Sequence, residues 1–295
     1  MKEYLSIFIN GFKDYWNYIS NDVTHPGWHS YFYWLIGLSL VVWMLEIIIP
    51  WRKKQGKIRK DFWQDGFYMF FNFFIFYLII YNGLSNVFVK LLNDVLTGAG
   101  ITNLVLLEIS SWPIIVQLLF MFLVADFVQW NVHRLLHKYP KLWEFHKLHH
   151  SIKEMGFAGH LRFHWMESII YKAMLYIPFA IIGFGFDDMF VVHIITISIG
   201  HLNHANLNLD YGPFKYVLNN PKMHIWHHAK EVPVNHKQGV NFGISLSLWD
   251  YIFKTAHVPT SGRDIELGFQ EDEKYPKNFI EQITYPLSKR NETDQ

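Results

Sequence analysis

The sequence contains no cysteine. That excludes disulfides, iron–sulfur clusters and cysteine-ligated zinc, and says little about compartment. Charge is also scarce. Only 17% of residues are Asp, Glu, Lys or Arg, against roughly 25% in a soluble domain. The net charge is +1, so no basic field invites nucleic acid. No GxGxxG or GxxxxGK[ST] stretch occurs, and no histidine is followed by Glu, so HExxH is missing too. The Glu-x-x-His pairs of carboxylate-rich di-iron bundles are absent as well. MKEYLSIFINGFKDYWNYI, with its Glu3 and no long apolar run, does not read as a cleavable signal.

What is abundant points to a membrane. The chain of 295 residues is 51% hydrophobic and 18% aromatic. YFYWLIGLSLVVWMLEIIIP, residues 31–50, is apolar apart from Glu46 and suits one crossing. WRKKQGKIRK follows with six basic side chains, which places that loop on the cytoplasmic side. A second span is predicted over 67–90, then a loop with a short apolar segment around ITNLVLLEI. A third span is predicted over 113–130, opened by Pro113. Residues 168–200 are apolar but interrupted by GFGFDD at 183–188, which predicts a helical hairpin entering and leaving on one face.

These boundaries divide one catalytic domain into segments. Residues 1–130 form an N-terminal membrane region, and 131–167 a first histidine-rich cap segment. Residues 168–200 form the hairpin, 201–256 a second cap segment, and 257–295 a polar tail. The expected fold class is all-α: an integral membrane bundle of three spans plus a hairpin, under a cytoplasmic histidine-rich helical cap.

Thirteen of the 17 histidines fall within residues 133–228, a third of the chain. Their spacing is helical. HRLLH sets His133 and His137 four apart, on one helix face. HKLHH repeats the idea with His146, His149 and His150. HLNHAN supplies His201 and His204 just after the hairpin. HIWHH supplies His224, His227 and His228, with Pro221 suiting a helix start. A single such motif could be a surface pair. Four of them on one face of a membrane protein predict a metal centre. Imidazole suits iron, zinc, copper and nickel, and this many candidates fits two ions. Asp126, seven residues before His133 and inside a span, is the candidate acid for orienting a ligand histidine. Glu144, Glu167 and Asp210 are lesser candidates.

The stretches HRLLHKYPKLWEFHKLHHS, NHANLNLDYGPFKYVLNNPKMHIWHH and NFGISLSLWDYIFKT resemble, in order, the fatty acid hydroxylase and sterol desaturase superfamily. The resemblance covers about 130–165 and 200–256. It implies a histidine-ligated pair of iron ions that activates O2 to hydroxylate or desaturate a lipid C–H bond. Carried over by motif, the ligands are His133, His137, His146, His149, His150, His204, His224, His227 and His228. His201 is a tenth candidate, as ligand or as supporting partner. His160 and His164 also lie in a family-like segment, whereas His193 reads as a buried histidine of the hairpin. HPGW at His25 lacks the second glycine of a haem motif, and His29, His236 and His257 read as surface or structural. Asn241, Trp249 and Asp250 read as packing the cap. The expected partners are a lipid, the membrane and a separate electron carrier, such as a ferredoxin, flavoprotein or cytochrome. A membrane zinc hydrolase or a metal transporter is the alternative.

Overall fold

Apolar runs bounded by proline and basic residues become long helices. The structure is a computed structural model that describes residues 2–184, 189–231 and 233–288. α1 (Lys2–Thr24) leads into α2 (Tyr31–Ile48), and Pro50 lies just beyond its end. α3 is a continuous rod over Phe62–Gly98. It contains π-type turns at Phe71–Ile75 and Tyr77–Tyr81. α4 (Ile114–Lys138) begins directly after Pro113. α5 (Pro140–His150) starts on a proline, whose missing N–H costs nothing in a first turn. The hairpin is α6 (Trp165–Ile181) and α7 (Phe190–His204); Asp187 and Asp188 of its predicted interruption lie outside the described residues. α8 (Pro221–His227), α9 (Leu248–Ile252) and α10 (Phe279–Ser288) complete the chain. Among the described residues there is no strand, only three isolated bridges.

α2, α3 and α4 are each long and apolar enough to cross a membrane. Leu40, Val41, Ile79, Ile80, Leu119 and Leu123 stand exposed on them, as lipid-facing residues do. The predicted spans are therefore present, with two differences. The second helix runs well past the predicted 67–90 in both directions. At about 1.5 Å per residue it reaches on the order of 50 Å, more than a hydrocarbon core needs. The other difference is α1, which sequence reading treated only as a non-signal. It lies against the far half of α3, where Gly11 and Gly83 meet. A Cβ on Gly11 would come within 3.1 Å of the Gly83 Cα, and one on Gly83 within 2.7 Å of the Phe8 ring.

The segment read as a polar tail is partly packed down. Gln282 is buried and accepts from Tyr68 Oη at 2.9 Å. The Ile283 carbonyl accepts from Trp165 Nε1 at 3.0 Å and lies 2.8 Å from His164 Nε2. These contacts bind the C-terminal helix to the start of α6 and to α3. Reporter fusions at Tyr139 and at Ser288 should therefore report the same side of the membrane. Opposite sides would defeat the arrangement.

Candidate metal centre

Helical spacing decides which imidazoles meet. His133 and His137 end α4 one turn apart. With His146, His150 and His227 they form one buried or half-buried group. His149, His204, His224 and His228 form a second, all buried. Within each group the candidate donor atoms lie within 4.8 Å of one another. Each HxxHH motif divides between the groups by one rule. Its i, i+4 pair stays together and its i+3 member crosses over. α5 sends His146 and His150 to the first group and His149 to the second. α8 and its capping residue His228 send His224 and His228 to the second and His227 to the first. The groups adjoin, with the His150 and His228 rings stacked at 4.5 Å.

The outer nitrogens are anchored. His133 Nδ1 lies 2.8 Å from the Phe242 carbonyl, and His227 Nδ1 2.8 Å from that of Val240. His149 Nδ1 faces the Arg162 carbonyl at 3.2 Å, and His204 Nδ1 the Gly200 carbonyl at 2.9 Å. A carbonyl oxygen only accepts, so each of these Nδ1 atoms carries the proton. A neutral imidazole has one proton, which leaves a bare lone pair on Nε2. Yet His149 Nε2 and His204 Nε2 face each other at 3.3 Å. Two lone pairs at that distance repel unless a cation lies between them. His133 Nε2 faces His146 Nε2 at 3.1 Å, and His146 gives its Nδ1 proton to Glu167 Oε2 at 2.7 Å. Two nitrogens each about 2.1 Å from one ion, at a right angle, would stand about 3 Å apart. His137 Nε2 is buried without a hydrogen-bond partner, as are the Nδ1 atoms of His224 and His228. An all-imidazole donor set with facing lone pairs fits divalent iron or zinc, and the residues present fit two ions.

Burial, then crowding by neighbouring imidazoles, holds His146, His150, His224 and His228 well below the ordinary histidine value of 6.5. His149 and His227 are lowered too, with burial again the largest cause. The folded centre therefore presents neutral imidazoles, the form a metal requires.

His201 falls outside both groups. Its Nε2 lies 3.1 Å from Ser39 Oγ and its Nδ1 3.0 Å from His160 Nδ1. It is a neighbour of the centre through His160, whose ring lies 5.2 Å from that of His204. His160 is seated over Gly200, where a Cβ would come within 2.2 Å of the ring. His164 caps α6, its Nδ1 accepting from Met166 N at 3.1 Å. His193 lies 3.2 Å from Tyr31 Oη. His25 sits beside Thr24 and His29 against Phe190. His236 and His257 face each other. None of these joins either group.

Asp126 is buried near the centre, but its oxygens turn elsewhere. Oδ1 accepts from Ser245 N at 2.9 Å, and Oδ2 from Leu246 N and Trp249 Nε1. The expected direct contact with a ligand histidine is replaced by a hold on the loop behind it. Residues seven apart share a helix face, but they sit two turns, about 10 Å, apart along the axis. The acid that touches a group histidine is Glu167, one of the lesser candidates. Its signal was local: His164-x-x-Glu167 at a helix start is a capping arrangement, and Glu167 Oε1 accepts from His164 N at 3.1 Å. Glu144 pairs with Lys147, and Asp210 with Lys222.

Two outcomes are expected. Glu167→Gln should weaken metal affinity by about 10–100-fold, as loss of a histidine's carboxylate partner does; metal titration reads it. The metal-free protein should lose stability in acid. Below about 6.5 the unfolded chain takes up protons that the buried imidazoles refuse, so stability present above that value drains as pH falls toward the depressed folded values. A melting temperature that stays flat from neutral pH to about pH 5 would contradict it.

Residues 118–255 match the fatty acid hydroxylase family. An ornithine lipid hydroxylase from Rhizobium tropici is 30% identical over 181 residues, 61% of this chain and 53% of that protein. Alkylglycerol monooxygenases of Xenopus tropicalis and Homo sapiens are each 29% identical over 136 residues, 45% of this chain and 29% of theirs. The chain thus spans about half or less of the length of these curated relatives. No solved structure matches. All nine histidines of the two groups lie inside the region, 118–255, that matches the fatty acid hydroxylase family.

Proposed function

We propose that this chain is a membrane-bound, O2-dependent lipid oxygenase with two iron ions held by its nine grouped histidines. The observation that carries the reading is the pair of adjoining imidazole groups, five and four strong, at the end of a membrane-crossing helix. His133, His137, His146, His150 and His227 hold one ion; His149, His204, His224 and His228 hold the other. His201 supports the centre through His160, and Asp126 through the loop it fastens. Iron bound there supplies the O2-dependent oxidation of an unactivated C–H bond.

The protein's own part is to bind, orient and enclose. Backbone carbonyls and Glu167 keep the Nδ1 protons of His133, His146, His149, His204 and His227 outward, so their Nε2 lone pairs stay inward. Burial of the groups excludes bulk water from the reacting region. Relatives named for ornithine lipid and alkylglycerol support a lipid substrate, hydroxylated or desaturated by this centre. Electrons come from a separate carrier, a ferredoxin, flavoprotein or cytochrome. The basic loop Arg52–Lys60 supports placing the histidine groups on the cytoplasmic side.

The protein purified under reducing conditions should hold about two iron ions per chain, one for each group, and consume O2 with a reductant and lipid. Cells expressing it should show an oxidised lipid species that His227→Ala abolishes. Zinc at full occupancy with redox-independent hydrolysis would favour the hydrolase. An unchanged lipid profile at equal expression would count against an oxygenase.

A further inference from the structure

The loop Val240–Gly243 lies between the two helices that bring His133 and His227 to the first group. It is tied to α8 by two direct hydrogen bonds and to α4 by one direct bond and one bridge through Asp250. Toward α4, the Phe242 carbonyl accepts from His133 Nδ1. On the other side of the same residue, Phe242 N donates to Asp250 Oδ1 at 2.9 Å. The same Oδ1 accepts from Trp130 Nε1 at 3.0 Å, and Trp130 lies one turn before His133 on α4. Asp250 therefore grips both the helix that carries the ligand and the residue that receives the ligand's proton. Toward α8, the Val240 carbonyl accepts from His227 Nδ1. Asn241 Nδ2 donates to the Met223 carbonyl at 2.9 Å, one turn before His227.

Asp250 is fully buried, and its carboxylate is saturated. Gly243 N donates to Oδ2 at 2.8 Å, and Thr255 Oγ1 donates to Oδ1 at 2.6 Å. The approach is close enough to exclude a larger residue at Gly243, where a Cβ would stand 2.4 Å from the Leu246 carbonyl and 3.0 Å from Asp250 Oδ2. Asp126 secures the loop's next turn through Ser245 N and Leu246 N.

We infer that Asp250 is a positioning residue of the first metal site: it fixes the Phe242 carbonyl against α4 and thereby sets the tautomer and orientation of His133. The inference rests on the metal-centre reading above. An ionised carboxylate only accepts, and its four donors are all N–H or O–H groups. A carboxamide would turn one N–H toward a donor and release the loop at Phe242 or Gly243.

Cobalt(II) titration of the full-length protein in detergent tests this, read by visible absorption. The unaltered protein should bind two equivalents, one per group. Asp250→Asn should keep its helix content and one equivalent. The other should weaken by about 10–100-fold with shifted ligand-field bands. Trp130→Phe keeps an aromatic side chain but removes the indole N–H donor; it should shift the same bands less, and it decides the matter if Asp250→Asn does not fold. Asp22→Asn is the control, because Asp22 is another buried carboxylate, accepting from Phe32 N at 3.0 Å and bonded to neither the loop nor a group histidine. Its spectrum should match the unaltered protein's. The inference is overturned if both test variants titrate like the unaltered protein, or if Asp22→Asn shifts the bands equally. Failure of the unaltered protein to bind cobalt would defeat the metal-centre reading itself, and this inference with it.

Discussion

Imidazole lone pairs aimed at one another are the constraint on which this structure turns. Nine histidines from four helices converge with donor atoms within 4.8 Å inside each group. Five of them, His133, His146, His149, His204 and His227, commit their Nδ1 protons outward to carbonyls or to Glu167, so those protons cannot relieve the repulsion between facing nitrogens. Protonating the rings is opposed by burial. Each buried polar atom without a partner costs about 1–3 kcal/mol, and several stand here. A metal ion bound here would remove that cost for several groups at once. Ion affinity and fold stability would then be linked, because the groups join the ends of helices α4, α5, α7 and α8.

The membrane helices serve the centre through an economical device. Each of the three spans carries a polar side chain, half-buried on α2 and buried on α3 and α4, that reaches the backbone of a loop beside the histidines. On α2, Glu46 Oε1 accepts from Phe157 N and Asn206 N. On α3, Asn72 Nδ2 donates to the Leu161 and Phe163 carbonyls. On α4, Asp126 accepts from Ser245 N and Leu246 N. Polar groups inside apolar helices are expensive and persist where they are used. Here their use is to moor irregular backbone, which has unpaired N–H and C=O groups of its own, against regular helices. Asn72 lies within the first π-type turn of α3, where the wider helix alters the direction in which side chains project.

The histidine set was legible because ligand spacing and helix period are the same arithmetic. Four-residue intervals in HRLLH, HKLHH and HIWHH place rings on one face whatever the helices later do. The sorting of those rings into two groups was not legible. It depends on how α5 and α8 cross α4 and α7, and no local pattern encodes a crossing. The same limit explains Asp126 and Glu167. Asp126 shares a face with His133, which made it attractive, but axial distance put it out of reach. Glu167 reaches His146 from another helix, and its only local mark was a capping pattern that has an ordinary structural use. The spans were readable from composition, whereas α1 was not. Its amphipathic sequence becomes meaningful only against α3, where Gly11 and Gly83 let the backbones approach.

The hairpin joins the apolar half of the molecule to the histidine groups more directly than the spans do. Its descending arm, α6, begins with Glu167, which holds His146 of the first group. Its returning arm, α7, ends with His204 of the second group, whose Nδ1 is held by the Gly200 carbonyl of the same helix. One apolar hairpin therefore touches both groups, one through Glu167 and the other through His204. The arms also share a hydrophobic core with α4: Leu175, Phe179 and Ile182 meet Met121 and Ala125, and Val192 closes the cluster. A hairpin with one end at each group, packed against α4 along its apolar length, joins that core to both groups through one continuous pair of helices.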